Sequence, residues 1–172
     1  LAASARFSAA GVLDASFGAS GQVFAQPLPT IARIHALAQT PYSVLGFGVV
    51  GDGARSLAAI APYNGGGGLI QWDDVQSRGG VIVVDGGDSS ALAATPTMHD
   101  GHIGFAGWQA QGGTTRFLAG LVDTSDHTIG SFATHAVGSS VDMATAVAWQ
   151  AGQLVVAGNT FDGTKNDAAV IR

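Results

Sequence analysis

The stretch ATAVAWQAGQLVVAG, residues 144–158, decides the fold. Val147 and Trp149 alternate with smaller or polar residues, which is the period-two pattern of a half-buried strand. Ala151-Gly152 then offers a two-residue turn, and Leu154-Val155-Val156 is an apolar return run. Together these predict a β-hairpin. Two other stretches have the same form: IHALAQTPYSVLGFG at 34–48 and ALAATPTMHDGHIGFAG at 91–107. Gly48, Gly107 and Gly158 fall at equivalent places in the three copies.

A second element recurs between these hairpins. It is a short apolar strand, present as LAASARF (1–7), SLAAIAPY (56–63), RFLAGLV (116–122) and DAAVIR (167–172). Matching Arg6, Pro62, Val122 and Arg172 gives spacings of 56, 60 and 50 residues. Further strands fit at Gly21 to Ala25, Val81 to Val84 and Gly130 to Thr134. Each unit thus offers four short strands separated by Gly, Asp and Asn turns. A single small sheet cannot cover both of its faces, so repeated sheets are stable only when stacked. The pattern predicts an all-β, antiparallel, propeller-like repeat array of about three four-stranded blades. The units run over about 7–62, 63–122 and 123–172 of a single repeat domain.

Composition agrees with strands and turns. The chain has 26 Gly, only one lysine (Lys165), and twelve acidic residues that are all Asp. Glu and Lys favour helices, and Gly and Asp favour turns. The net charge of −5 with scattered arginines lacks the basic stripe of a nucleic-acid binder. No apolar run approaches the roughly 20 residues of a spanning helix. Cysteine is absent, which excludes disulfides and thiolate metal sites. The opening Leu1 to Ala5 reads as a strand and not as the end of a signal peptide.

The first unit, ARFSAAGVLDASFGASGQVFA (5–25), resembles the bacterial delta-60 repeat, a propeller-associated repeat. Ala5, Arg6 and Phe7 match its first strand. Gly11, Leu13, Asp14, Ser16, Phe17, Gly18, Gly21 and Val23 match the loop that follows. The third hairpin and its sequel, AVAWQAGQLVVAGNTFDG (146–163), resemble the family's second half, and Asp167 to Arg172 resemble the start of a next copy. The match is degraded in the middle, where Trp72-Asp73-Asp74-Val75 replaces the Leu-Asp-x-Ser pattern. The resemblance implies bacterial origin and an extracellular, cell-surface or periplasmic setting. It implies no activity and no shared catalytic residues. Because the first and last strands are the same element of the repeat, the expectation is a segment of a larger propeller, or one completed by another copy.

Chemistry was sought in the polar residues. Gly46-x-Gly48-x-x-Gly51 has dinucleotide-binding spacing, but a helix must follow it and the repeat places a strand there. His99-Asp100-x-His102 offers two imidazoles and a carboxylate, a loose fit to Zn²⁺, against the plainer reading of a solvated hairpin tip. Asp85-Gly86-Gly87-Asp88 and Asp162 to Asp167 offer oxygen ligands to Ca²⁺, though Asp in such runs also serves turns. Trp72, Trp108 and Trp149 fit blade interfaces, with sugar stacking the alternative and Trp108 the best placed for exposure. No nucleophile elbow occurs, and a HExxH helix is impossible without Glu. Asp73 and Asp74 are adjacent, so on a strand they face opposite ways.

The sequence therefore points to a non-enzymatic secreted or surface module, a scaffold or binding platform for glycan or protein. Trp72, Asp73, His99, Asp100, His102 and Trp108 are its candidate ligand residues. No catalytic residue, metal site or cofactor is assigned, Ca²⁺ apart, and neither a nucleic-acid partner nor a membrane span is expected. The alternatives are a polysaccharide-active hydrolase with Asp and His at the propeller mouth, and a self-assembling structural surface protein.

Overall fold

The computed structural model describes residues 2–25, 32–51, 53–64, 81–126, 128–138 and 140–172. Thirteen strands and no helix occur among the described residues. They are β1 (Ala2–Ala5), β2 (Gln22–Ala25), β3 (Ala32–Gln39), β4 (Ser43–Gly51), β5 (Ser56–Asn64), β6 (Ile82–Val83) and β7 (Ser89–Ala94). The rest are β8 (His102–Gln111), β9 (Thr114–Asp123), β10 (Ile129–His135), β11 (Val141–Gln150), β12 (Gln153–Phe161) and β13 (Asn166–Ile171). The chain is all-β, as its patterning requires.

β1 and β2 pair with each other. β3-β4-β5-β6 form a four-stranded antiparallel meander, the first sheet. The remaining strands form a seven-stranded sheet ordered β13-β12-β11-β9-β8-β7, with β10 also paired to β9. This larger sheet consists of two antiparallel meanders, β7–β10 (the second sheet) and β11–β13 (the third). One parallel bridge, Val141 to Thr115, joins them. Sheet limits and sequence units are out of phase, since β6 pairs back onto β5 across residue 62 and β10 onto β9 across residue 122.

The three hairpins share one irregularity. The register of β3 on β4 shifts between Ile34 and Ala36, that of β7 on β8 between Ala91 and Ala93, and that of β11 on β12 between Ala144 and Ala146. Each shift is a β-bulge, which leaves one residue unpaired and bends the strand. Opposite each bulge stands a glycine: Gly48 faces Ile34, Gly107 faces Ala91 and Gly158 faces Ala144. A Cβ on these glycines would lie 1.8 Å from the Arg33 carbonyl oxygen, 1.8 Å from that of Ser90 and 2.1 Å from that of Met143. The bulge drives a carbonyl into the space any side chain needs, so only glycine fits.

Using the bulges as a common origin, equivalent residues line up across the sheets. The rows are Ala36–Phe47–Ile60, then Ala93–Ala106–Ala119, then Ala146–Ala157–Val170. The first row belongs to the core between the first and second sheets, where Phe47 and Phe105 lie 5.9 Å apart among Leu45, Ile60, Ile103 and Leu118. The second row faces the third sheet, with Ala106 beside Phe117, Ala144 and Val156. There Gly104 leaves room for Leu154, whose Cδ2 would meet an added Cβ at 2.4 Å. On the other side of the first sheet, Leu57, Ala59, Ala61 and Tyr63 form another buried cluster. β5 is therefore covered on both faces, which explains its unbroken apolar run in place of an alternating one. Burying each large side chain contributes about 1.5–3 kcal/mol.

Polar staples tie each sheet to the one before. Ser89, fully buried at the start of β7, accepts the Ala58 amide of β5 at 2.8 Å. At the equivalent place on β11, Asp142 is 1% exposed. Its backbone exchanges hydrogen bonds with the Thr115 hydroxyl of β9. Its carboxylate accepts the Val137 and Gly138 amides and the Thr160 hydroxyl.

Two substitutions check this account by denaturant unfolding. Gly107→Ala should destabilise by on the order of 3–5 kcal/mol, because the bulge carbonyl cannot be accommodated. Asp142→Ala should cost roughly 2–4 kcal/mol, because it strands buried donors without an acceptor.

Candidate functional site

Three hairpin tips adjoin at one end of the stacked sheets. The β3–β4 tip meets the chain leaving β7, since the Gln39 amide donates to the Pro96 carbonyl at 3.1 Å. The β7–β8 tip meets the β11–β12 tip, where the His99 ring lies 4.9 Å from the Trp149 ring. Tyr42 stands on the first tip, 90% exposed. The row thus presents Tyr42, His99 and Trp149 on three successive hairpins.

The turns have a common cause. Asp100 and Gly101 have φ of 47° and 80°, and Ala151 and Gly152 have 49° and 77°. Positive φ at both central residues is the tight hairpin turn that matches strand twist. It brings His99 opposite His102 and Gln150 opposite Gln153. The sequence therefore sets ring-bearing residues at the ends of strands, where Tyr42 is open and Trp149 is half-buried on the face of β11 turned toward the second sheet. The Trp149 indole N–H is buried without an acceptor, an uncommon state for that group.

Charges surround the rings. His99 Nδ1 lies 3.2 Å from Asp100 Oδ2. His102 Nδ1 lies 2.7 Å from the Asp100 carbonyl oxygen, and its Nε2 lies 3.7 Å from Asp123 Oδ2. The Asp123 carboxyl is held below the usual carboxylate range, first by the Ser125 hydroxyl at 2.6 Å and next by the Ser125 amide at 2.8 Å. His102 contributes least of the groups that act on it. The order is Ser125–Asp123–His102, with the carboxylate in the middle. A hydrolytic triad needs the imidazole in the middle to take the hydroxyl proton, so this trio has the wrong connectivity for that chemistry.

The candidates from sequence are divided by the fold. His99, Asp100 and His102 come together on one tip. Trp108 lies six residues further along β8, roughly 20 Å away at about 3.4 Å per residue. It pairs with Ser90 and Phe117, is half-buried, and stands on the same face as Ala106, toward the third sheet. Trp72 and Asp73 lie outside the described residues. Tyr42, Trp149 and Asp123 were not singled out as ligand residues. Tyr42 was legible as an aromatic next to a Thr-Pro turn, whereas the approach of Trp149 to His99 depends on how two sheets stack.

Other polar groups are occupied by local structure. Asp162 Oδ1 accepts the Thr164 hydroxyl and the Thr164 and Lys165 amides, so the Asp162 run is a turn. Asp88 Oδ1 accepts the Ser56 amide, and Asp85 Oδ1 accepts the Gly86 amide and pairs with Arg55 at 3.4 Å. Beside them lies an open cleft of about 620 Å³ lined by Arg33, Val49, Arg55, Ser56 and Asp88. Gly46, Gly48 and Gly51 all belong to β4, and strand β5 follows them. Near the start of the chain, Arg6 pairs with Asp14 at 2.8 Å and lies over the Phe17 ring, while Asp14 binds Ser16 as Asp123 binds Ser125. Comparison with family models, curated proteins and solved structures found no match to this chain.

The Asp123 turn has a definite pH signature. A depressed carboxyl stabilises the fold above its unfolded-state pKa, and this support is lost as pH falls through the lower folded value. Carboxyl NMR titration should find Asp123 below the ordinary range. Ser125→Ala should raise its midpoint, and His102→Ala should move it less.

Proposed function

We propose that the chain is a non-enzymatic binding module of a secreted or cell-surface protein, a segment of a propeller-like array that holds a glycan-binding row of hairpin tips. The observation that carries this reading is the approach of hairpin tips from successive sheets, with the His99 ring against Trp149, Asp100 beside His99, Asp123 beside His102, and Tyr42 open on the adjoining tip. Aromatic rings offer flat apolar faces to the C–H face of a sugar, and carboxylates accept its hydroxyls. Function on loops carried by a rigid stack is the usual division of labour in such folds. The recurring bulges and equivalent rows support stacked blades, and the delta-60 resemblance supports a bacterial, exported setting.

A glycan array followed by calorimetry tests the reading. Binding of a neutral oligosaccharide should weaken about tenfold or more, roughly 1.4 kcal/mol, in Tyr42→Ala and in Trp149→Ala, with circular dichroism unchanged. Turnover of the oligosaccharide, or binding indifferent to Tyr42→Ala, would overturn it.

A further inference from the structure

At the β4–β5 turn end, opposite the hairpin tips, a cleft opens between the first sheet and the segment that enters β7. Its volume of about 620 Å³ is that of a small-ligand site. Register explains the opening. Counted from the bulge glycines Gly48 and Gly107, Val49 of the first sheet is the equivalent of Trp108 of the second, and Arg33 is the equivalent of Ser90. Where the second sheet turns an indole toward the third, the first sheet turns only an isopropyl group toward the second. The difference in bulk leaves room. Two charged groups line this room without serving the fold. Arg33 is exposed and, among the described residues, makes no hydrogen bond or ion pair. Asp88, just before β7, gives Oδ1 to the Ser56 amide at 2.8 Å and leaves Oδ2 without a donor. The buried Asp142, by contrast, has both oxygens occupied, and Arg55 is tied to Asp85 at 3.4 Å. Arg33 and Asp88 share the cleft and yet do not pair with each other.

We infer that this cleft is a second binding site, for a hydroxylated carboxylate of the sugar-acid class. A guanidinium grips a carboxylate through two parallel N–H donors, which places the ligand's acid group at Arg33. An ionised carboxylate only accepts hydrogen bonds, so Asp88 Oδ2 selects hydroxyl donors on the same ligand. Val49 and Ala54 supply apolar lining for its C–H groups. A cleft of this size takes a disaccharide, whereas an inorganic anion or a single amino acid leaves most of it empty. The site lies at the other end of the sheets from the tip row, and the inference does not rest on the ligand reading of the tips.

Calorimetric titration of the 172-residue chain with digalacturonate, and with its methyl ester as the uncharged match, is the test. The wild type should bind the acid at least tenfold more tightly than the ester. Arg33→Ala should weaken the acid tenfold or more with an unchanged β-sheet spectrum, because the Arg33 side chain holds no other group. Val49→Trp copies the second sheet, and should close the cleft and remove binding. Tyr42→Ala should leave binding of the acid unchanged, which separates this site from the tip row. Absence of binding by the wild type, equal affinity for acid and ester, or indifference to Arg33→Ala overturns the inference. So does a free amino acid that binds as tightly as digalacturonate.

Discussion

A carbonyl oxygen pressed against a glycine, repeated three times, is the contact on which the rest of this fold depends. In each hairpin the first strand carries one residue too many, and the surplus turns a backbone oxygen toward the partner strand. Gly48, Gly107 and Gly158 admit it because they have no side chain. The bulge bends the strand and strengthens its twist. The same bend in three hairpins gives three sheets of matching shape, so that the row Ala36–Phe47–Ile60 of one and the row Ala93–Ala106–Ala119 of the next can each receive a neighbour.

Stacking then dictates where polar groups go. Faces are claimed by apolar packing, and strand starts by staples such as Ser89 and Asp142. What remains for recognition is the ends of the strands. The tip row and the Arg33–Asp88 cleft lie at such ends, on the β3–β4 turn side and the β4–β5 turn side of the first sheet respectively. The aspartates divide in the same way. Asp142 is buried and satisfied by amides and a hydroxyl, while Asp14 and Asp123, half-buried, and Asp162, exposed, fold their own turns through a serine or threonine two residues on. A chain whose acids are all Asp uses the short side chain for local hydrogen bonding, which a longer carboxylate does less well.

The strands and the equivalence of three glycines were legible in the sequence, because period-two patterning and turn chemistry are local. ATAVAWQAGQLVVAG contains its own strand, turn and return strand. Why those three positions must be glycine was not legible, since a bulge is a property of two strands in register. The candidate site was half legible: His99, Asp100 and His102 share a turn, so proximity in sequence placed them together. Trp149 joins them from 47 residues further along the chain only because the third sheet leans on the second. Trp108, the better guess from its polar neighbours, was claimed by the same contact between sheets.

By itself, then, the sequence determined the all-β class, the hairpins and the turns, because each rests on alternation and backbone preference within a few residues. Tertiary structure alone decided which face of each sheet is buried, which aromatic rings meet at the tips and where a cleft is left open. Those outcomes depend on the packing of sheets distant in the chain, and burial of area is blind to sequence distance.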